Sequence, residues 1–383
     1  MISPSIVIPI YTRLQSLKRL LWSIEKAKIP HNTRLVFRYH KGATEAVIKY
    51  IENYKWINGE KRIIHDEERI DLDENLRRCG DLSLEYDSII ILEDDSLVSP
   101  YFYDFAIKAL EFYGVNQNIA QISLYNYTKN SISGLPFSTI NQQYDAFAIQ
   151  KTSTRGQLFT KKQWSNFRNW LAQKNIVEVF TPSYIQKFGH ENWEFQHNQY
   201  LIDQGLYSIW PQISLSSNQG KTGTHHPNNI DAGFFQVPLQ NHLFEYKFVS
   251  LEDCYKYDAY FELEPEHYTA LAQKHNISLE DFTIDLQGFK PISYGGKYWL
   301  TSKPCKNAIA TFSDELKPIE LNILWENAGT EISLCKVDNL IKNVKTDHYK
   351  NARRYFAENT DVGLWNYLRY KWLKYVERKK LNK

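Results

Sequence analysis

This 383-residue chain lacks most of the features that assign a protein to a class at once. Its four cysteines are far apart and form neither a CxxC pair nor a disulfide framework, which favours a reducing, cytoplasmic compartment. No segment approaches the ~20 apolar residues of a membrane span, and we expect no signal peptide because the first residues carry no basic region. The net charge is only +2, so no overall field indicates a nucleic acid as partner.

Aromatic residues, in contrast, are abundant. The chain has 26 tyrosines and 10 tryptophans, a composition typical of proteins that stack flat polar rings such as sugars and bases. Its length exceeds one ordinary domain and predicts two or three compact units.

Strand and helix patterns alternate along the first third of the chain. Apolar runs predict strands at residues 5–10, 33–39, 61–65 and 88–92, and helical spacing predicts helices at residues 14–27, 44–54 and 75–84. This alternation predicts an α/β fold with a Rossmann-like, mostly parallel sheet. A further strand is expected at residues 119–125, and residues 180–229 read as irregular and aromatic.

The pattern changes after residue 253. Short apolar runs with turn signals, such as residues 319–325 and 331–337, predict a smaller β-containing unit. We therefore expect a nucleotide-binding domain at residues 1–252, an accessory α+β unit at residues 253–345 and a helical tail at residues 346–383.

Three consecutive acids follow the most apolar strand. Glu93, Asp94 and Asp95 come directly after the run Ile89-Ile-Ile-Leu92. Because like charges at the edge of a core repel one another, a cation or a polar ligand must compensate them. Carboxylate oxygens suit Mg²⁺ or Mn²⁺, and the carboxyl ends of strands form the ligand crevice of such sheets. A solvated acidic turn is the alternative.

Two later segments carry groups that could act with a metal. His225 lies in the Gly-rich run 218–227, where a neutral imidazole could be a further ligand, although an ordinary loop histidine is the simpler interpretation. Glu191 and Glu194 lie among aromatic residues, where reduced hydration favours a general base. Taken alone, both are typical of exposed helix acids.

These pieces resemble, in order and spacing, the glycosyltransferases of the GT-A fold. The likeness is to the N-acetylglucosaminyltransferase I family and its bacterial relatives, and it covers residues 3–235. The motifs that carry it are Ile6-Val-Ile-Pro-Ile-Tyr-Thr-Arg13, the Glu93-Asp-Asp turn with the Pro100-Tyr-Phe-Tyr that follows it, Arg155-Gly-Gln through Trp164, Trp193-Glu194, Ile209-Trp-Pro211, and Gly220 to His225.

The resemblance implies a role for each matching position. Asp95 would hold Mn²⁺ or Mg²⁺ beneath the diphosphate of a nucleotide sugar, with His225 as a closing ligand. Glu194 would be the base of an inverting transfer to a glycan or lipid-linked glycan acceptor, with Glu191 as the alternative base. The donor would be bound by the remaining matched positions, which are Pro9, Tyr11, Arg13, Glu93, Asp94, Arg155 and Gly156.

The chain departs from the family pattern at the proposed base. The family places Asp where this chain has Glu194, and a second Asp where it has Phe195. The second strand ends in Arg38-Tyr-His-Lys41, where many relatives place an Asp that reads uracil, so UDP follows from the family and not from a residue. A sugar-phosphate nucleotidyltransferase, and a non-catalytic glycan- or lipid-binding protein on a decayed transferase scaffold, remain as alternatives. The first would need a Gly-rich loop after strand one, which Tyr11-Thr-Arg-Leu-Gln15 does not provide.

The C-terminal tail is locally basic. Between residues 362 and 383 seven lysines and arginines accompany the single acid Glu377, and apolar residues recur at helical spacing. A basic amphipathic helix flanked by Trp and Tyr suits an anionic membrane surface, whereas packing on the protein body is the alternative. The expected location is therefore cytoplasmic, with peripheral membrane contact, in surface polysaccharide or lipopolysaccharide synthesis.

Overall fold

The computed structural model describes residues 3–140, 143–173, 180–187, 189–219 and 235–342. Of the tail it describes positions 355, 363, 365, 368, 369, 371, 372 and 376. His225 and the segment Gly220 to His225 lie outside these residues.

The described residues form fifteen strands and ten α-helices. The strands are β1 (Ser5–Pro9), β2 (Leu35–His40), β3 (Lys61–Asp66), β4 (Ser88–Ile91), β5 (Ser96–Val98), β6 (Ile119–Ser123), β7 (Ala146–Ile149), β8 (Gln157–Thr160), β9 (Tyr207–Pro211), β10 (Ser216–Asn218), β11 (Lys256–Tyr257), β12 (Phe282–Asp285), β13 (Tyr298–Thr301), β14 (Ala310–Phe312) and β15 (Ile332–Lys336). The helices are α1 (Leu14–Glu25), α2 (Glu45–Asn53), α3 (Leu72–Asp81), α4 (Ser83–Tyr86), α5 (Phe102–Tyr113), α6 (Lys161–Ala172), α7 (Ser183–Gln186), α8 (Trp193–Asp203), α9 (Thr269–Lys274) and α10 (Leu321–Leu324).

A nine-stranded sheet organises the fold, with strand order β11-β7-β9-β6-β8-β4-β1-β2-β3. Strands β4, β1, β2 and β3 run parallel, joined by crossover helices. Strand β8 lies antiparallel between β4 and β6, while β6 and β9 are parallel. The predicted α/β class with a large, mostly parallel sheet is confirmed, and a separate four-stranded sheet, β12-β13-β15-β14, follows it.

The central strands are apolar because both of their faces are covered. Every residue of β1 and β4 is buried. Ile6 and Ile90 point into the core cluster on one face, and Val7, Ile89 and Ile91 into the cluster on the other. An apolar run without alternation is the pattern of a parallel strand between two helical layers.

Two local expectations were wrong. Residues 319–325, read as a short strand, contain helix α10, in which the amides of Leu324 and Trp325 donate to the carbonyl oxygens four residues earlier at 3.0 Å. The Asn322 side chain ties this turn to the preceding segment by donating to the carbonyl oxygens of Leu316 and Ile319 at 3.1 and 2.9 Å. Residues 180–229, read as irregular, contain helix α8 and strand β9. Helix α8 is buried from Phe195 to Leu201, so its sequence shows no polar face to reveal the helical period.

Candidate active site

The acid triplet lies where the sequence predicted it, at the carboxyl end of β4. The backbone turns there, with the Ser96 amide donating to the carbonyl oxygen of Glu93 at 2.9 Å, and continues into β5. Strand β5 pairs with β10 as an antiparallel ribbon. The acids are therefore held on a short turn between β4, which is paired within the large sheet, and β5, which is paired with β10.

Arg13 joins β1 to this turn. It immediately precedes α1 at the carboxyl end of β1, next to β4 in the sheet. Its guanidinium donates to Asp95 Oδ2 at 2.8 Å and also to Asp94 Oδ1. Burial lowers the pKa of Arg13, but Asp94 and Asp95 outweigh it and the pKa is raised. The structure thus brings three of the sequence-predicted residues into direct contact.

Negative charge at this turn is only partly compensated. Burial, together with the neighbouring Asp95, raises the pKa of Glu93 to about 8, although Arg155 and Arg13 oppose that rise. Burial likewise raises the pKa of Asp94 to about 6 despite its bond to Arg13. Three carboxylates here face two guanidiniums, so the turn favours an additional cation or proton.

Arg155 and Gly156 reach the same turn from β8. Because β8 is antiparallel to β4, its first residues lie beside the last residues of β4, with Gln157 opposite Ile91. Arg155 Nη1 donates to the Tyr127 hydroxyl at 2.9 Å, and its guanidinium carbon lies 3.7 Å from the centroid of the Phe235 ring. Its buried Nε has no hydrogen-bond partner within the part of the chain that the structure describes.

Gly156 occupies a position that excludes other residues. Its φ of +78° is one that L residues rarely adopt, and a Cβ there would lie 2.8 Å from Leu124 Cβ and 2.9 Å from Ser216 Oγ. The Ser216 hydroxyl donates to the carbonyl oxygen of Arg155 at 2.8 Å. The close approach of β10 therefore fixes the backbone that carries Arg155.

Glu194 lies in the first turn of α8 and, like Glu93, within the field of Arg155. Burial lowers the pKa of Arg155, yet nearby tyrosines and the carboxylates of Glu93 and Glu194 raise it overall. The Asn192 side chain caps α8 by accepting from the Phe195 amide at 3.1 Å. Arg155 therefore connects the acid turn to Glu194 electrostatically.

Lys151 is a cation beside Glu194 that was not predicted from the sequence. Its Nζ lies 3.7 Å from Glu194 Oε1, and only 2% of the side chain is exposed. The ammonium lies 4.9 Å from the Tyr127 ring centroid and 4.7 Å from that of Tyr184. Lys151 follows the four-residue apolar run of β7, so a strand-end signal exists in the sequence, but it is much weaker than the one that precedes the acids.

The remaining predicted positions differ in their surroundings. Pro9 is buried in β1, and the Tyr11 ring stacks on His40 with centroids 4.7 Å apart, at the same carboxyl edge of the sheet as Arg13. Glu191 is exposed before α8, and its carbonyl oxygen accepts a hydrogen bond from Arg77 at 3.3 Å.

The Arg38 guanidinium is already paired with groups of this chain. Arg38 is buried and bonds Asp66, which also accepts from Arg78 Nη1 at 2.9 Å. Arg38 Nε donates to Asn75 Oδ1 at 3.2 Å. The Arg38 side chain is therefore held by buried polar contacts at the end of β2, where His40 stacks on Tyr11.

The residues at the acid turn fit a divalent cation by their donor chemistry. The Asp95 side chain is 15% exposed and provides a hard oxygen ligand beside excess negative charge. No cluster of three metal-ligating side chains occurs among the described residues. The Gln219 amide donates to the Asp95 carbonyl oxygen at 2.8 Å, so the chain passes Asp95 immediately before the segment that contains His225.

Comparisons with known proteins give only a weak likeness. No protein-family profile and no curated protein matches the chain. It is similar to TarS residues 1–349 of S. aureus with 12% identity and a TM-score of 0.39, over 57% of this chain and 61% of that one, less than two thirds of its length. It is also similar to the mannosyltransferase PcManGT of Pyrobaculum calidifontis, solved with GDP-Man and Mn²⁺, at 13% identity and a TM-score of 0.35, over 55% of each chain.

The same TarS fragment in complex with UDP-GlcNAc aligns at 13% identity and a TM-score of 0.36, over 55% of this chain and 58% of that one. Scores this low leave the fold class to rest on the sheet topology alone. Within the described residues, no helix combines the length and the apolar character needed to cross a membrane.

Proposed function

We propose that this protein is a metal-dependent, inverting glycosyltransferase of the GT-A fold that uses a nucleotide diphosphate sugar. The observation that carries the proposal is the convergence of Glu93, Asp94 and Asp95 with Arg13 and Arg155 at one sheet edge. Such a site compensates the charge of a diphosphate once a cation is bound, and the carboxyl ends of strands are the usual ligand crevice of α/β sheets.

The donor would be held by a cation bound to the carboxylates and by an arginine. Asp95 would hold Mn²⁺ or Mg²⁺, with His225 as the proposed second protein ligand, and the bound ion would neutralise charge on the departing diphosphate. Arg155 has a buried N–H without a partner in the described chain, and this group could donate to a phosphate oxygen. Glu93 and Asp94 would accept hydrogen bonds from donor hydroxyls, beside the rings of Tyr11 and Pro9.

The transfer itself would need a base on the acceptor side. The Glu194 carboxylate would take the proton from the acceptor hydroxyl as that oxygen bonds the anomeric carbon. The bond from the anomeric carbon to the diphosphate oxygen breaks, its electron pair leaves with the nucleoside diphosphate, and the configuration inverts. Lys151, 3.7 Å from Glu194, would keep the carboxylate oriented towards the acceptor.

A thermal-shift screen tests the donor site. The purified protein is melted with UDP, GDP, CMP and TDP sugars, each with and without Mn²⁺. Saturation at 100 times the dissociation constant stabilises the folded state by about 2.7 kcal/mol, which a melt resolves. We expect one nucleotide, with UDP favoured, to give a Mn²⁺-dependent shift. Absence of any shift from folded protein would contradict the proposal and favour a non-catalytic binding protein.

Two variants separate binding from chemistry. Asp95→Asn is expected to abolish the Mn²⁺-dependent part of the shift, whereas Glu194→Gln should keep it and lose sugar transfer. Transfer that persists in Glu194→Gln would exclude Glu194 and leave Glu191 as the base. Formation of a nucleotide sugar from a sugar phosphate and a nucleoside triphosphate would instead identify a nucleotidyltransferase.

We also propose that the acceptor is a glycan or lipid-linked glycan of a bacterial surface polysaccharide, reached from a membrane surface. The described tail residues Trp365 and Trp372 are helical and 84% and 61% exposed. Exposed tryptophans beside a basic sequence suit an anionic bilayer. The test is cosedimentation with anionic and with neutral vesicles. Loss of anionic-vesicle binding in a Trp365→Ala, Trp372→Ala double variant supports the contact, and equal pelleting of the two proteins contradicts it.

A further inference from the structure

Two aromatic rings, one just before α7 and one in the turn before β13, form a partly exposed pair. Phe180, just before α7, is 44% exposed, and Tyr294 of the accessory unit is partly exposed. Their ring centroids are 5.5 Å apart and their planes are tilted by 43°. Because the two rings come from segments more than 100 residues apart, their pairing is a tertiary feature and not a local accident of the sequence.

The Tyr294 ring is held in place by contacts with charged and aromatic groups. The Tyr260 ring meets it edge-on at 5.6 Å, and the Lys290 ammonium lies 4.6 Å from its centroid. Lys290 in turn forms a buried ion pair with Asp258. The Asp258 carboxylate also accepts from the amide of Tyr260 at 2.8 Å. These contacts immobilise the ring, so a ligand would not have to order it on binding.

The turn that presents Tyr294 is also fixed. The carbonyl oxygen of Gly295 accepts from Thr283 Oγ1 at 2.8 Å and from Trp299 Nε1 at 3.0 Å. Gly295 and Gly296 have φ values of +129° and +77°, which permit the sharp reversal. Tyr294 is thus held by the small sheet through β12 and β13, and Phe180 packs against it.

Tyr184 connects this aromatic pair to the proposed base. Its hydroxyl donates to the Ala259 carbonyl oxygen at 3.2 Å, next to Asp258, while its ring faces the ammonium of Lys151, the partner of Glu194. Burial raises the pKa of Tyr184, and the carboxylates of Glu194 and Asp258 raise it further. Tyr184 therefore lies within the field of both Glu194, the proposed base, and Asp258, whose partner Lys290 contacts the Tyr294 ring.

We propose that Phe180 and Tyr294 bind a pyranose ring of the acceptor glycan, an inference that rests on the transferase function above. A partly exposed pair of aromatic rings, of which Tyr294 is held in place, offers apolar surface to the C–H face of a sugar, and the polar groups around it suit sugar hydroxyls. Its connection through Tyr184 to Lys151 places this subsite on the Glu194 side of the catalytic centre. The accessory unit would accordingly contribute to acceptor binding.

The test is saturation-transfer NMR on the full chain with the methyl glycosides of glucose, galactose, mannose, N-acetylglucosamine and N-acetylgalactosamine. The wild-type protein is expected to contact the ring protons of at least one glycoside. Tyr294→Ala and Phe180→Ala should each lower the affinity for that glycoside roughly tenfold. Trp325→Ala is the matched control, because Trp325 is an exposed aromatic residue, 67% accessible, elsewhere in the accessory unit.

The donor screen separates the two proposals. If the nucleotide sugar and Mn²⁺ still shift the melting of all three variants while Tyr294→Ala and Phe180→Ala lose the glycoside, the subsite is supported. Donor binding without any glycoside contact, or contact that both alanine variants retain, overturns the subsite and leaves the transferase proposal intact. Glycoside contact without any donor shift overturns the transferase proposal, and the subsite as an acceptor site with it. Phe180→Ala guards against misfolding, because Phe180 is largely outside the core.

Discussion

Replacing Gly156 by alanine should destabilise the protein and disturb the position of Arg155. The positive φ alone costs an alanine about 1–2 kcal/mol. The new Cβ would also meet Leu124 Cβ at 2.8 Å, an atom that no side-chain rotation can move away, and Ser216 Oγ at 2.9 Å. Overpacking of this kind adds about 1–3 kcal/mol, so the expected total loss is about 2–5 kcal/mol.

Gly205 provides a matched control on the same chain. Its φ is +61°, but beyond its neighbours in the chain no described atom lies within 4 Å of the Cβ that an alanine would add. Gly205→Ala therefore carries the backbone cost without the crowding, and its expected loss is about 1–2 kcal/mol. The difference between the two variants isolates the close approach of β10 to Gly156.

Urea unfolding of both variants measures this difference, and calorimetric titration with the nucleotide identified in the donor screen measures its effect on the site. Gly156→Ala should lose more free energy of unfolding than Gly205→Ala and should bind the nucleotide more weakly. Equal losses in the two variants would refute the crowding argument. Normal nucleotide affinity in a folded Gly156→Ala protein would refute the claim that this backbone positions Arg155 for the donor.

Two more predictions follow from buried charge. Arg155→Met should weaken nucleotide binding by about 1.5–3 kcal/mol in calorimetric titration. Arg34→Met is the control, because Arg34 precedes β2 and bonds only groups outside the acid turn, namely Glu60 at 2.7 Å, Ser5 Oγ at 3.3 Å and the Tyr86 ring, and it should leave nucleotide binding unchanged. Equal effects of the two variants would contradict the role of Arg155. Burial raises the pKa of the Glu320 carboxyl from its ordinary value of 4.5 to about 7. Between these two pH values the folded state keeps a proton that the unfolded state releases. The free energy of unfolding therefore falls as the pH rises from 4.5 to 7. Glu320→Gln should remove a slope of about 1.4 kcal/mol per pH unit from urea unfolding at pH 5 to 7, and an unchanged slope would exclude Glu320 as its source.

The acid turn could be predicted from the sequence because its signal is local. An apolar run buried on both faces, followed at once by charged residues, is typical of a strand that ends at a ligand crevice. The same reasoning placed Arg13 after β1, and the structure brings Arg13 into contact with Asp94 and Asp95. Because neighbouring parallel strands end at the same edge of the sheet, charged residues that follow two such strands can be predicted to meet.

The link between Arg155 and Glu194 could not be derived from spacing. It depends on β8 entering the sheet antiparallel between β4 and β6, a choice that no local pattern specifies. Lys151 was missed because the run Ala146-Phe-Ala-Ile149 is too short to distinguish from a loop in an aromatic region. The aromatic pair of Phe180 and Tyr294 is likewise a product of tertiary packing.

The antiparallel position of β8 also determines which changes in length the chain can tolerate. Gln157 lies opposite Ile91, so a one-residue insertion in β8 would displace Arg155 by about 3.3 Å and exchange the two faces of the strand. Lengthening the connection between β6 and β7 would leave that register unchanged. Inherited variation in chain length should therefore accumulate between the strands, and a library of single-residue insertions selected for nucleotide binding should be depleted at residues 157–160.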